Sequence, residues 1–195
     1  MFALVQDGSI TKYISGNRGI TIGDIQYPQN IFTLWSAAER EAIGIYEVVF
    51  DNSNKKDEAY YINTNQSFNF ADGVVTASYG SATAKELDDR NATNEAGEEL
   101  DPVVVIEGLK TKHKKIIKKQ ASGLLEPTDW YNHKALDDDT FTIPANIITY
   151  RANIRTRSNE METAIDNASD VDALAALYVY KDGERPLGEF PILEI

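Results

Sequence analysis

The residues able to do chemistry are few, and their spacing argues against most catalytic designs. Two histidines, His113 and His133, stand in lysine-rich or loop-like surroundings, and cysteine is absent. Without thiolates or a pair of histidines one helical turn apart, no transition-metal site is expected. Asp137-Asp138-Asp139 is the one dense carboxylate cluster. It lacks the alternation and the glycine of a calcium loop, so it reads as a solvated turn. No Gly-x-Ser-x-Gly elbow occurs, and the Gly16 to Gly23 region lacks the lysine and the strand-to-helix setting of a nucleotide loop. A glycan hydrolase needs two acids held ~5–9.5 Å apart. No such pair is marked in the chain, so this enzyme reading stands last. The expectation is a protein without catalytic residues, cofactor or metal.

The remaining charged feature is a run of lysines at 110, 112, 114, 115, 118 and 119. One reading makes it a basic surface that docks an acidic partner. The other makes it a solvated helix face whose lysines pair with acids of this same strongly acidic chain. No aromatic residues interleave the lysines, as single-strand nucleic-acid binding would require. Lys110, Lys114, Lys115 and Lys118, with Arg151 and Arg155 further on, are the candidate partner-binding residues.

The elements that must position these groups divide into two kinds. Residues 1–80 read as a small β-rich domain with one short helix. Asp7-Gly8 joins the apolar runs 2–5 and 9–14 as a hairpin, and Ala71-Asp72-Gly73 joins 66–70 to 74–79. Strands are also expected over 45–50 and 58–62, giving a mainly antiparallel sheet. Ser36 and Glu39 have capping-box spacing, and Gly44 can close the short helix between them and the next strand. Residues 81–102 are polar and acidic and read as a linker or exposed loop. Residues 103–195 read as helical. A first helix over 103–122 carries Val105, Ile106, Leu109, Ile116 and Ile117 as one apolar stripe, with Gly123 as its stop. A second starts near Pro144 with Ile147, Ile154, Met161 and Ile165 inward. A third spans 171–178 behind a cap in Asn167-Ala168-Ser169-Asp170, and Pro191–Ile195 is extended. The fold class is α+β: a small β-rich N-terminal domain, then an antiparallel helical hairpin or three-helix module.

A net charge of -12 opposes any wrapping of DNA or RNA, so nucleic acid is not an expected partner. Apolar residues at 42% suffice for a core. No apolar run reaches 18 residues, so no membrane partner is expected, and Met1–Gly8 lacks the basic start of a secretory signal.

One stretch resembles a known group. Leu124-Leu125-Glu126-Pro127-Thr128-Asp129-Trp130 follows the charged helix, and Tyr150-Arg151-Ala152-Asn153-Ile154-Arg155 lies on the next. This resembles the C-terminal domain of the tail-fibre assembly chaperone and tail-assembly families of tailed phages. Their pattern is "Leu-Leu-x-x-Thr-Asp-Trp", a variable loop, and a helix bearing "Tyr-Arg-x-x-Leu-Arg". Ile154 stands where the pattern has leucine, and Asn146-Ile147-Ile148 stands where an aromatic residue is usual. The match covers about residues 104–160. Thr33-Leu34-Trp35-Ser36-Ala37-Ala38-Glu39 with Gly44-Ile45-Tyr46 similarly looks like segments near the start of phage tail-associated proteins.

The resemblance implies a non-enzymatic tail-associated structural protein that binds tail fibre or baseplate components in the virion tail, made in the host bacterial cytoplasm. Its alternative is a tail-fibre assembly chaperone absent from the mature virion. A homo-oligomer is compatible with either. Within the motif, Thr128 and Asp129 are expected to fix the turn after the first helix through local amides. Trp130 is expected between the two helices, where its loss would cost ~3–5 kcal/mol. Tyr150 belongs to the same structural set. Arg151 and Arg155, four apart, share a helical face, with Asp129 as ion-pair partner for one of them.

Overall fold

The computed structural model describes residues 1–193, which form two compact units, Met1–Thr83 and Ala84 onward. The architecture is α+β.

Unit one is built on a five-stranded sheet. β1 (Phe2–Gln6) and β2 (Ser9–Ile14) form a hairpin whose turn residues Asp7 and Gly8 have φ of 50° and 73°. Two consecutive left-handed residues match the twist of the strands, and Asp-Gly tolerates that conformation. A small hairpin follows, β3 (Ile20–Ile22) and β4 (Ile25–Tyr27), then two short helices, α1 (Ile31–Leu34) and α2 (Ala37–Glu41). The capping box is present: the Glu39 amide donates to the Ser36 hydroxyl at 3.3 Å, and Glu39 accepts from the Ser36 amide at 2.7 Å. Gly44 has φ of 81°, and a Cβ there would sit 2.6 Å from the Val5 carbonyl oxygen, so this position needs glycine twice over.

β5 (Ile45–Asp51), β6 (Tyr61–Ile62), β7 (Ser67–Ala71) and β8 (Val74–Ser78) complete the unit. The sheet order is β2-β1-β5-β8-β7. The sheet is mainly antiparallel, as expected; its one parallel junction is β5–β8, with Val48 beside Val75. The expected strand over 58–62 shrinks to Tyr61–Ile62, because the Asp57 carbonyl accepts from the Tyr60 and Tyr61 amides and its carboxylate from Ala59. Such an Asx turn competes with strand pairing for the same donors.

Both faces of β1 are buried. Leu4 joins Ile14, Ile20, Ile31, Phe32 and Ile45 on one side; Ala3 and Val5 join Val48, Val75 and Ala77 on the other. The edge strands curl toward each other over the second cluster, bringing the Tyr13 and Phe68 rings to 4.6 Å between centroids.

β9 (Thr83–Ala84) lies at the junction. In unit two, the segment expected as a linker carries β10 (Arg90–Asn91), which pairs with β11 (Val105–Ile106). α3 therefore begins at Leu109, not at 103, since the β-branched run 103–106 pairs with another strand. The 86–89 segment then caps it from outside. Glu86 and Leu87 carbonyls accept from Leu109 and Lys110, and Asp89 accepts from the Gly108 amide at 2.8 Å and the Thr111 hydroxyl at 3.0 Å.

α3 (Leu109–Leu125) runs straight through Gly123, at the usual cost of about 1 kcal/mol for an interior glycine. It ends in a 3-10 turn, Glu126–Thr128, at Pro127. Its buried residues are Leu109, Ile117 and Ala121, while Ile116 is 50% exposed and Val105 and Ile106 lie outside the helix. α4 (Asp129–Asp137) occupies the expected loop. α5 (Ala145–Asp166), capped at Pro144, buries Ile147, Ile154, Met161 and Ile165. α6 (Val171–Ala176) starts at Asp170, whose carboxylate accepts from the Ala173 amide at 2.7 Å. The contacts of residue 114 with 166, 118 with 162 and 125 with 151 make α3 and α5 antiparallel. Pro191–Leu193 form no regular element, and Glu194 and Ile195, expected to extend it, lie outside the described residues.

Candidate interaction site at the end of helix α3

The last carbonyls of any α-helix have no intrahelical donor. At the end of α3 these donors come from α5. The Tyr150 hydroxyl donates to the Leu124 carbonyl at 3.3 Å, and Arg151 donates through Nη1 to the Leu125 carbonyl at 3.0 Å. The Thr128 hydroxyl donates to that same carbonyl at 2.7 Å and accepts from Arg151. Arg151 Nη2 reaches Asp129 at 2.7 Å. Arg151 is 8% exposed, and this partner set is what makes so buried a guanidinium tenable. The Leu-Leu, Thr-Asp and Tyr-Arg elements therefore close into a clamp on one helix end. The turn is fixed through a carbonyl and a guanidinium, where bonds to local amides were expected.

Trp130 is a correction. It is 51% exposed and lies on α4, its ring centroid 3.9 Å from that of Tyr131 with the planes tilted by 31°, and 6.2 Å from that of Phe141. Arg151 draws Thr128 and Asp129 inward, and the next position on a helix points about 100° away. The space between α3 and α5 is filled instead by Ala121, Tyr150 and Ile154, with Leu124, Leu125, Phe190 and Leu193 against them.

The lysine face is largely engaged by unit two itself. Lys110 meets Asp88 at 3.1 Å, Lys114 meets Asp166 at 2.7 Å, Lys118 meets Glu162 at 3.1 Å, and Lys115 pairs closely with Glu107. The Asp166 hydrogen bond holds the Lys114 pKa above its ordinary value. Such partly exposed pairs contribute ~0–1 kcal/mol each. Arg155 differs: its hydrogen bond runs at 3.4 Å to the Arg151 carbonyl, and no ion pair reaches it among the described residues.

Arg151 and Arg155 both border a groove of ≈ 410 Å³ between α3 and α5, with Lys118, Ser122, Asp129 and Asn159 around it. His113 lies away from this groove, half-buried, with Nδ1 2.8 Å from the Tyr178 hydroxyl; burial pushes its pKa down. His133 is exposed on α4. Asp138 accepts from the Thr140 amide at 3.0 Å, a local turn. Among the described residues no group of three His, Asp or Glu side chains is arranged to hold a metal.

Arg157 was not singled out by sequence. It donates to the Glu189 and Leu187 carbonyls at 3.1 and 2.7 Å, tying the C-terminal segment to α5. Its spacing carries no signal, because the carbonyls it meets are some thirty residues away. Comparison with protein-family models, with curated proteins and with solved structures finds no match for this chain.

Proposed function

We propose that this chain is a non-enzymatic bacteriophage tail-associated structural protein that binds tail fibre or baseplate components. The observation that carries the reading is the clamp at the end of α3. The residues on which the chain resembles tail-assembly families, Leu124, Leu125, Thr128, Asp129, Tyr150 and Arg151, are joined in one hydrogen-bonded set. A motif whose members touch one another across more than twenty residues has a structural reason to occur together. Arg155 and Trp130 are exposed, with Tyr131 and Phe141 half-buried beside the indole, and arginine and aromatic groups are of the kind that anchor protein interfaces.

Mass spectrometry of purified particles tests the proposal. A fixed stoichiometry in multiples of three or six is the expected result for a tail component. Presence only in infected-cell lysate, bound to fibre protein, would assign the chaperone role instead. Absence from both would overturn the tail reading.

A further inference from the structure

We propose that the groove between α3 and α5 receives a carboxylate side chain from an acidic segment of a partner tail protein, gripped by Arg155. The identity of the partner as a tail protein rests on the function proposed above; the carboxylate chemistry does not.

The charges around the groove cancel in pairs, except one. Asp129 is taken by Arg151 at 2.7 Å, and Lys118 by Glu162 at 3.1 Å. Arg151 already spends three of its five N–H donors on Asp129, Leu125 and Thr128, and its charge is matched by Asp129. Arg155 follows one turn later on α5, exposed, with a single 3.4 Å hydrogen bond to a backbone carbonyl. Among the described residues, the groove thus keeps one guanidinium with no carboxylate paired to it, in a chain whose net charge is -12.

A guanidinium presents parallel N–H donors that match a carboxylate in bidentate fashion. Ser122 and Asn159 border the same groove and supply neutral donors for the remaining lone pairs. The volume of ≈ 410 Å³ suits an inserted side chain and its neighbours. The wall also decides the charge of the occupant. With Asp129 offset by Arg151 and Lys118 by Glu162, the described residues leave the groove one net positive charge, which a single carboxylate neutralises and a doubly charged phosphate overshoots. Extended polyanions are further opposed by the acidity of the whole chain.

The test uses the full ¹⁵N-labelled chain and the peptide Ala-Ala-Glu-Glu-Ala-Ala at about 0.1 M salt, where long-range repulsion is screened. The peptide, like its glutamine control, is acetylated and amidated at its ends so that the glutamates are the only carboxylates. The expected result is a saturable shift, with millimolar affinity, of the Arg155 Nε–H resonance and of the Ser122 and Asn159 backbone amides, which also report on the variants. Arg155→Ala should weaken binding about tenfold, one charge-assisted contact, with no change in melting temperature. Lys112→Ala removes the same charge from an exposed position outside the groove and should leave affinity unaltered. The Ala-Ala-Gln-Gln-Ala-Ala peptide should not bind. Equal binding by Arg155→Ala, no saturable shift up to about 10 mM peptide, or inorganic phosphate binding more tightly than the peptide would each overturn the proposal. Failure here leaves the particle measurement untouched, and absence of the chain from particles leaves the peptide result standing.

Discussion

The two units solve the same problem with different interactions. Unit one buries both faces of a central strand under aliphatic and aromatic side chains, and its sheet supplies its own hydrogen bonds. Unit two has an aliphatic seam too, but its helix ends depend on groups from elsewhere in the chain. Residues 86–89 cap the start of α3, and Tyr150 and Arg151 cap its end. The difference follows from geometry: a sheet pairs its backbone groups laterally, whereas a helix leaves four at each end unpaired. A helical unit with short connections must therefore import donors and acceptors, and its polar residues become structural.

The sharpest way to break this contrast is to damage each seam equally. Ile45→Ala in unit one and Ile154→Ala in unit two both remove fully buried side chains, and each should cost ~3–4 kcal/mol. Denaturant unfolding followed at Trp35 for the first and Trp130 for the second measures the two. A loss below about 1 kcal/mol in either would show a core that rearranges freely.

Next in size is Arg151→Ala, which strips the Leu125 carbonyl, Thr128 and Asp129 of a shared donor. It should destabilise unit two by about 2–3 kcal/mol. Arg151→Lys should recover only part, since an ammonium cannot serve all three acceptors in one plane. Full stability in the lysine variant would mean that charge alone, not the fork, holds the clamp.

Trp130→Ala should cost less than about 1 kcal/mol, because the ring rests on the surface of α4. Differential scanning calorimetry decides it, and a loss near the ~3–5 kcal/mol of a buried aromatic would put the ring back in the core.

The smallest effect concerns pH. Glu39, Asp89 and Asp170 sit below their ordinary pKa, chiefly because the amides of Ser36, Gly108 and Ala173 hydrogen-bond the charged form. A carboxylate whose folded pKa is depressed adds stability that is present above its unfolded value, near 4, and lost as pH falls through the folded value. Melting temperature should therefore fall below about pH 4, and the fall should be shallower in Asp89→Asn. An identical acid limb in that variant would dismiss the contribution of the Asp89 carboxylate to the cap on α3.

Much of this was legible in advance, and where it was not the reason is specific. Asp7-Gly8 and Asp72-Gly73 form turns of left-handed residues, Ser36 and Glu39 cap α2, and Ile147, Ile154, Met161 and Ile165 face inward. Each of these depends on residues within one or two turns of one another. The start of α3 lies later than expected: the run 103–106 is β-branched and Gly108 stands at the helix N-cap, but a helical apolar stripe reads through both. Pairing with Arg90 and Asn91 sets that run apart. The parallel β5–β8 junction joins strands separated by more than twenty residues, a choice of neighbour that alternating polarity leaves open.

The candidate site divides along the same line. The amino-acid order alone placed Arg151 and Arg155 on one face of a helix and Asp129 within reach of them, because helical periodicity is a local property. Tertiary packing then gave the two arginines different environments: Arg151 buried in the clamp, Arg155 at the groove with no carboxylate paired to it among the described residues. It also turned Trp130 outward and set four lysines against acids of unit two. Burial and charge pairing are properties of what arrives from distant parts of the chain, and a spacing of four residues is the same whichever partners arrive.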